Sequence, residues 1–326
     1  MKTLFSKNLF YAIILLLAGF IIGIFIPKFD TSCNSSDYKY INPDFICKDN
    51  LIIKKNSYVF LKSKLNEFIQ EQKDNKNILD VAIYFRDLQN GPTLGINEHE
   101  NFSPASLLKL PLLLTYEKLQ NESIPTLFDI SIMAKDTNNN TLQNIIPSKS
   151  IEYGKQYLIS DLLSYMIKYS DNKSYVVLLD YLHQIYPDKD LLKETFVELG
   201  IVDPKDLLDN TISVKSYGSI FIQLYNSSFF NQNKISEEIL NLLTNVEWKN
   251  GINRGVPADI KVAHKFGERS SDVNNIEQLH DCGIIYYPNN PYLLCIMTRG
   301  TDQTKLAKTI SEISKMFYEE FDSRKL

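Results

Sequence analysis

Apolar residues recur along this chain with two spacings, one typical of helices and one typical of strands. Spacings of three and four residues predict a first helix to about residue 72 and a last amphipathic helix from roughly Thr304 to Phe321. Apolar or alternating stretches predict strands at 80–87, 93–97, 260–265, 281–287 and 292–298. The middle of the chain, about 106–244, shows helical spacing and little strand signal. We therefore expect an α/β lobe, whose sheet is assembled from both ends of the chain, interrupted by a helical lobe.

The N-terminal segment is strongly apolar. Residues 9–26 form an uncharged run of 18 residues, near the lower length limit for a helix that spans a bilayer. Lys2 and Lys7 precede the run, and positive charge before a span favours a cytoplasmic N-terminus. Residues 26–30 lack the small side chains that a signal peptidase prefers. We therefore expect an uncleaved signal anchor, and the alternative is a cleaved secretory signal, which exports the domain equally.

This interpretation divides the chain into three parts. A transmembrane anchor at 1–27 is followed by a polar linker at 28–55 and by one domain at 56–326, whose helical lobe spans about 121–245. The expected location is the cell membrane, with a single span and the domain outside the cytoplasm. If the N-terminal segment is cleaved, the domain is secreted.

Composition and charge narrow the classes of function. With 44% hydrophobic and 23% charged residues among 326, the chain can bury a large core and is not disordered. Its formal net charge is −4, and the first 30 residues hold three lysines and one aspartate, so the exported part is more acidic still. An acidic domain is poorly suited to the phosphate backbone, so we expect no nucleic-acid partner. No metal-ligand spacing is present, and the sequence implies no cofactor.

Four cysteines occur, at positions 33, 47, 282 and 295. Cys282 and Cys295 flank a predicted turn at 288–291, so they should lie on facing strands. Disulfides are compatible with an exported domain. Because the sequence does not fix the strand register, we expect two buried thiols here rather than a bond.

Three short strings carry candidate chemistry: Ser106-Leu107-Leu108-Lys109, Ser170-Asp171-Asn172 and Lys265-Phe266-Gly267. A serine followed three residues on by a lysine also occurs twice elsewhere, so the first string is weak by itself. Its surroundings distinguish it, because an extended segment and a Gly-Pro turn precede Ser106. The serine also opens an apolar run to Leu114 that predicts a buried helix.

Together these strings resemble those of the class A β-lactamases and the penicillin-binding proteins, which share a serine-x-x-lysine, a Ser-Asp-Asn and a Lys-Thr-Gly element. The resemblance extends over roughly 55–326. It implies an α/β (α+β) fold with an antiparallel five-stranded sheet flanked by helices, plus an all-helical lobe. It also implies a β-lactam or a peptidoglycan stem peptide as the substrate.

The catalytic residues implied by the resemblance are Ser106, Lys109, Ser170 and Lys265. A serine hydroxyl needs a neighbouring base, and Lys109, three residues on along a helix, is within reach. Burial and the nearby Lys265 would both favour its neutral form. Pro111 is tolerated near a helix start, which places Ser106 at the N-terminal end, where developing anionic charge is stabilised. By resemblance, Ser170 passes a proton to the leaving group.

The substrate-binding residues are expected to be Asn172, Arg254, Phe266, Gly267 and Glu268. By resemblance, Asn172 holds the substrate's amide, and the backbone N–H of Glu268, with that of the nucleophile, forms the oxyanion hole. Phe266 departs from the family pattern, since it stands where a threonine hydroxyl helps to bind the substrate's carboxylate. Arg254 could partly compensate; it could equally be a solvated loop arginine.

A second departure concerns hydrolysis of the acyl group. Class A β-lactamases carry a Glu-x-x-Leu-Asn loop after Ser-Asp-Asn, whose glutamate activates water. No glutamate fills that region here; the nearest string by position, 206–210, offers only aspartates. The string at 237–241 matches in letters but belongs to a helical run, so we interpret it as coincidence. We therefore expect slow or absent deacylation.

The sequence favours an exported serine hydrolase acylated at Ser106. Two alternatives stay open: a D-alanyl-D-alanine carboxypeptidase or other penicillin-binding protein, and a non-catalytic cell-wall-binding scaffold that keeps the fold. Retention of Ser106 together with Lys109 argues against the scaffold, because a binding module needs no buried amine.

Overall fold

The computed structural model describes residues 38–42, 58–89, 91–135, 143–201, 211–230, 232–271 and 275–324. Within these ranges, no helix is both long enough and apolar enough to cross a bilayer. The predicted anchor at 1–27 lies outside them, as do Cys33, Cys47 and the aspartates of the 206–210 string.

Helices hold more of the described residues than strands do. The α-helices are α1 (Val59–Asp74), α2 (Lys109–Glu122), α3 (Ile159–Lys168), α4 (Asn172–Ile185), α5 (Leu191–Glu198), α6 (Val214–Tyr225), α7 (Asn233–Thr244) and α8 (Gln303–Ser323). The strands are β1 (Asp80–Asp87), β2 (Thr93–Ile96), β3 (Asn101–Phe102), β4 (Ser131–Met133), β5 (Gln156–Leu158), β6 (Ile212–Ser213), β7 (Val262–Ser271), β8 (Ile276–Ile285) and β9 (Tyr292–Gly300).

Five strands form one antiparallel sheet in the order β2-β1-β9-β8-β7. The chain therefore contributes two strands before the helical region and three after it, which confirms the predicted assembly from both ends. Strand β7 pairs only with β8 in this sheet, so its other edge faces the helical lobe. The site lies along this unpaired edge of β7.

The strands β7 and β8 are longer than their apolar patterns predict. Their register runs from Val262 opposite Ile285 to Ser271 opposite Ile276, and the pairs 269–278 and 270–277 near its end are polar. Because periodicity marks only the half of each strand that is buried against the core, the polar half of the hairpin was not predicted. That polar half borders the site.

Helices cover both faces of the sheet. Helices α1 and α8 pack on one face, around a core that includes Leu61, Leu65, Ile310 and Phe317. Helix α6 packs on the other face, against β1 and β9. The last helix has the predicted apolar stripe and begins at the Asp302 cap, whose carboxylate accepts hydrogen bonds from two backbone N–H groups.

Cys282 and Cys295 lie on facing strands, β8 and β9, as predicted, and the register places them directly opposite each other. They form a disulfide bond, so our expectation of two thiols is wrong. The register was the missing information, since only directly opposed positions bring two side chains this close. The bond lies one strand away from Lys265, which is opposite Cys282 on β7.

Glu237, the first residue of the coincidental string, has a structural role on α7. Its carboxylate accepts hydrogen bonds from the backbone N–H groups of Lys39, Tyr40 and Ile41, at 2.7, 2.7 and 3.0 Å. Tyr40 also accepts a hydrogen bond from the Tyr286 hydroxyl at 3.1 Å. Part of the predicted linker is therefore bound to the domain.

We predict that Glu237→Ala releases this segment. A hydrogen bond to a charged acceptor contributes about 1.5–3 kcal/mol, so amide exchange at 39–41 should accelerate at least about tenfold, measured by hydrogen–deuterium exchange. Glu238→Ala, on an exposed neighbouring residue of the same helix, is the control. Equal exchange in the two variants would contradict the role assigned to Glu237.

Candidate active site

Ser106 lies in a 3₁₀ turn, Ala105–Leu108, that leads directly into α2. Ala105 has a φ of +49°, a left-handed conformation that is rare for a residue with a Cβ. Pro111 is the third residue of α2, where its missing N–H costs no helical bond. The serine therefore stands at the N-terminal end of a buried helix, as the proline placement indicates.

Ser170 lies in the turn between α3 and α4 and also has a left-handed backbone, with a φ of +55°. Asp171 caps α4, since its carboxylate accepts hydrogen bonds from the backbone N–H and the hydroxyl of Ser174, at 3.1 and 2.6 Å. Within the Ser-Asp-Asn string, Asp171 therefore serves as a helix N-cap. The cap holds the strained turn, which directs the Ser170 side chain into the domain.

Lys109 is the centre of the cluster. Its Nζ lies 3.0 Å from Ser106 Oγ, 3.1 Å from Ser170 Oγ, 2.5 Å from the Ser170 carbonyl oxygen and 2.7 Å from Asn172 Oδ1. The side chain is 2% exposed. One buried amine thus joins the turn that carries Ser106 to the turn that carries Ser170.

Lys265 reaches the same serine from the sheet. Its Nζ donates hydrogen bonds to Ser170 Oγ at 2.9 Å and to the Phe266 carbonyl oxygen at 2.8 Å, and the side chain is fully buried. The Ser170 hydroxyl therefore lies between two lysine nitrogens. All four residues that the sequence suggested for catalysis come together, with Asn172 beside them.

Burial lowers the pKa of both amines. Desolvation brings the pKa of Lys109 down to about 7, although Asp171 and Glu268 partly oppose this shift. The pKa of Lys265 is lowered well below its ordinary value, first by burial and then by the charge of Lys109. Near neutral pH, Lys109 therefore has access to the uncharged form that can accept a proton.

Gly267 allows β7 to approach the Ser106 turn closely. A Cβ at this position would lie 3.0 Å from the Leu107 nitrogen and 3.0 Å from the Pro104 oxygen, both of them backbone atoms. Backbone atoms move less readily than a side-chain end, so only glycine fits without a shift. This contact sets the distance between the sheet and the nucleophile's turn.

The free edge of β7 faces the cleft. Because the Phe266 carbonyl accepts a hydrogen bond from Lys265, it points away from β8. In an antiparallel strand, the N–H and the C=O of one residue point to the same side of the strand. The residue two positions further on points its N–H and C=O to that side as well. Glu268, two residues on, therefore directs its N–H outward, as an oxyanion hole requires.

A cleft of about 240 Å³ opens beside Ser106. Its described lining includes Ser106, Lys109, Asn172 and Glu268. Arg254 instead lines a separate cavity of about 550 Å³ with Trp248 and the start of α8. The expected compensation by Arg254 is therefore not supported by its position.

The Phe266 ring is buried rather than open to the cleft. It packs on Trp248 with 4.7 Å between the ring centroids, and its own centroid lies 4.3 Å from Lys265 Nζ. An apolar ring in this position helps to exclude water from the amine. Phe266 thus departs from a substrate-binding role and contributes to the burial of Lys265.

An irregular loop, 143–145, borders the site without having been predicted. Gln143 donates a hydrogen bond from Nε2 to the Ser170 carbonyl oxygen at 3.2 Å, and the N–H groups of Asn144 and Ile145 donate to Glu268. These contacts are made by backbone N–H groups and one side-chain amide of an irregular loop, so the sequence has no hydrophobic periodicity there that could have predicted them.

Tyr175 and Arg269 also line the cleft, and neither was predicted. Tyr175 follows Asn172 by three residues on α4, so it lies on the same face of the helix, and this spacing could have suggested it.

We predict that Gly267→Ala destabilises the domain by about 1–3 kcal/mol, because the added methyl group has to displace backbone atoms of the Ser106 turn. Chemical denaturation measures this change. Arg269→Ala, two residues along the same strand and exposed, should change stability by less than about 0.5 kcal/mol. A Gly267→Ala protein as stable as the parent would show that the contact is not tight.

Three comparisons with known proteins bear on this geometry. A family model described as the β-lactamase enzyme family matches residues 61–321. No curated protein sequence matches the chain. Similar solved structures include a PBP-A variant as an acyl-enzyme complex with penicillin G (20% identity, TM-score 0.65, covering 81% of this chain and 97% of that one).

Two β-lactamases are similar at the same level. The enzyme from Chitinophaga pinensis is 16% identical, with a TM-score of 0.65 over 80% of this chain and 99% of its own. The TLA-1 extended-spectrum β-lactamase is 18% identical, with a TM-score of 0.66 over 82% and 99%. At these identities the structures establish the fold alone, whereas the family model covers most of the chain. The chain therefore belongs to the β-lactamase enzyme family and is a β-lactamase-like serine hydrolase.

Proposed function

We propose that this hydrolase forms an acyl-enzyme at Ser106 with a β-lactam or a cell-wall peptide amide. One observation carries the proposal: the Ser170 hydroxyl lies between the amines of Lys109 and Lys265, and Lys109 also reaches Ser106. This arrangement connects the nucleophile to a second hydroxyl through a single buried base. Such a connection can take a proton from one oxygen and deliver it to another.

The proposed acylation proceeds in two proton transfers. Neutral Lys109 accepts the hydroxyl proton of Ser106 as Oγ attacks the substrate's carbonyl carbon, and the N–H groups of Ser106 and Glu268 stabilise the oxyanion. As the C–N bond breaks, Ser170 gives its proton to the leaving nitrogen and regains one from the Lys109 ammonium. Lys265 orients the Ser170 hydroxyl, and Asn172 holds the substrate's amide.

Release of the acyl group is proposed to be slow. Glu268 is the only carboxylate in the described lining of the cleft, and both of its oxygens are engaged in hydrogen bonds. A general base for hydrolysis needs a lone pair directed at a water molecule beside the acyl group, whereas the Glu268 oxygens are directed at Asn144, Ile145 and Gln303. The aspartates of the 206–210 string lie outside the described residues.

The domain is proposed to act outside the cytoplasm, attached to the membrane through residues 1–27 or secreted after their removal. The basis is the uncharged run at 9–26 behind Lys2 and Lys7. The disulfide between Cys282 and Cys295 supports an oxidising compartment.

The carboxypeptidase alternative differs from a β-lactamase only in substrate and in the rate of deacylation. A PBP-A variant with a similar fold is seen as an acyl-enzyme complex with penicillin G, and the slow release proposed for this chain is compatible with a penicillin-binding protein. The scaffold alternative is disfavoured because two buried amines with lowered pKa values are costly to keep in a binding module.

We predict that prolonged incubation with a panel of β-lactams gives a covalent adduct at Ser106, detected by intact mass. The adduct should turn over more slowly than about 1 s⁻¹, the low end of ordinary enzyme turnover, and Ser106→Ala should give none. Absence of any adduct with several β-lactams and activated esters would rule out acylation. A transient adduct with rapid turnover would rule out slow release only.

The rate of acylation should rise with pH up to about 7 and then level off. Lys109 acts as a base only when neutral, and its lowered pKa brings that form within reach at neutral pH. Lys109→Met should reduce the rate at least about 100-fold. Lys173→Met, a matched variant of the lysine that follows Ser170 at the same spacing, should not. A rate that rises only near pH 10 would show that Lys109 keeps its ordinary pKa.

A further inference from the structure

A second cavity adjoins the cleft that contains Ser106. Its volume is about 550 Å³, within the range of about 300–1,000 Å³ that is typical of ligand sites. The two share a wall: Glu268 lines the cleft, and its carboxylate accepts hydrogen bonds from three residues that line the larger cavity, Asn144, Ile145 and Gln303. The first two belong to the loop 143–145, which we call the strap. None of the residues proposed for acylation is in the described lining of the larger cavity.

Trp248 gives this cavity a fixed aromatic wall. The side chain is partly buried and packs on Phe266, with 4.7 Å between the ring centroids. A Cβ at Gly251 would lie 2.6 Å from the indole, so the backbone at this glycine is also close to the ring. An aromatic ring held in this way loses little conformational entropy when a ligand packs on it. The remaining surface of the ring contributes to the cavity.

Most of the described lining residues are polar or charged, and several offer donors or acceptors to a ligand. Among the described residues, the side chains of Asn250, Arg254 and Lys308 make no hydrogen bond or ion pair. The amide nitrogens of Asn144 and Gln303 donate hydrogen bonds within the shared wall, whereas their side-chain oxygens have no partner in the ranges that the structure describes. A hydroxyl group can both donate and accept, so this mixture suits a ligand with several hydroxyls.

The charges around the cavity favour an uncharged ligand. Arg254 and Lys308 supply two cations to the lining. Glu312 supplies a carboxylate to the same lining, four residues after Lys308 on α8. The carboxylate of Glu268 lies behind the shared wall, where it accepts a hydrogen bond from Gln303. Because these charges of opposite sign balance, an ionic ligand would find no excess of opposite charge.

We propose that this cavity binds an uncharged sugar, whose ring packs on Trp248 while its hydroxyl groups bond to the polar side chains of the lining. The C–H groups on the face of a sugar ring carry a small positive charge, which suits the negative face of an indole. A mainly aromatic ligand would leave most of the lining unpaired. The glycan of a cell wall, to which the stem peptides are attached, is a polymer of this class. The proposal is independent of acylation at Ser106, because it concerns binding alone.

The test uses the fluorescence of Trp248, which reports on this cavity alone because the chain contains a single tryptophan. The purified full chain is titrated with three disaccharides: N,N′-diacetylchitobiose, cellobiose and maltose. At least one of them should change the emission saturably, with a dissociation constant of about 1 mM or lower. Sorbitol, which offers hydroxyls without a ring face, should give no saturable change. If none of the disaccharides binds, or if sorbitol binds equally well, the proposal is wrong.

Two matched variants locate the bound sugar. Arg254→Met removes an exposed donor of the cavity and should raise the dissociation constant about fivefold. Arg269→Met, which changes an exposed arginine of the cleft beside Ser106, should leave it unchanged. The opposite result would assign the sugar to the cleft, and equal binding by the parent and Arg254→Met proteins would likewise overturn the proposal. Sugar binding by a protein that no β-lactam acylates would refute the proposed function and support this site.

Discussion

The structure of the site depends on the burial of two lysine amines around one serine hydroxyl. Each amine would be protonated and hydrated in water, and bringing both into the protein interior favours the loss of at least one proton. The hydroxyl of Ser170 accepts from Lys265 and contacts Lys109, while Lys109 reaches on to Ser106. The hydrogen-bond chain and the lowered pKa values are therefore two consequences of the same burial.

Two strained turns, one helix cap and one glycine make that burial possible. The left-handed turns at Ala105 and Ser170 bring two side chains from separate helices to one amine, and Asp171 stabilises the second turn as an N-cap. Gly267 lets β7 approach the backbone of the Ser106 turn, which carries Lys265 to the same place from the sheet. The strained turns and the close approach at Gly267 cost free energy. The large hydrophobic core on one face of the sheet offsets this cost.

Much of this arrangement was predictable because it follows from local patterns. Strand β1 occupies the predicted residues, the sheet is assembled from both ends, and the spacing of Ser106 and Lys109 on one helical turn brings the two side chains together. Contacts that join distant segments through backbone groups were not predictable. The strap, the binding of 39–41 by Glu237 and the disulfide register all depend on positions that no pattern encodes.

Arg254 shows why position in the sequence did not suffice. The carboxylate of Asp281 accepts a hydrogen bond from the Ile252 N–H at 2.9 Å, and only a glycine fits at 251, where a Cβ would meet that same carboxylate. The path of the loop is therefore set by Asp281, which also bonds to His264 at 2.8 Å in the buried sheet. A loop fixed in this way carries the arginine to the cavity beside Trp248.

Three positions around the site differ from the pattern that the resemblance implies. Phe266 replaces a hydroxyl with a ring that keeps water away from Lys265, Arg254 is held apart, and Glu268 adds a carboxylate at the cleft. The first two differences leave the described cleft lining without the hydroxyl and the guanidinium that the resemblance implies for binding the substrate's carboxylate. Random loss of function would scatter such changes over the catalytic groups as well, yet Ser106, Lys109, Ser170 and Lys265 keep their mutual contacts. The pattern is that of a retained reaction centre whose surroundings differ from those that the resemblance implies.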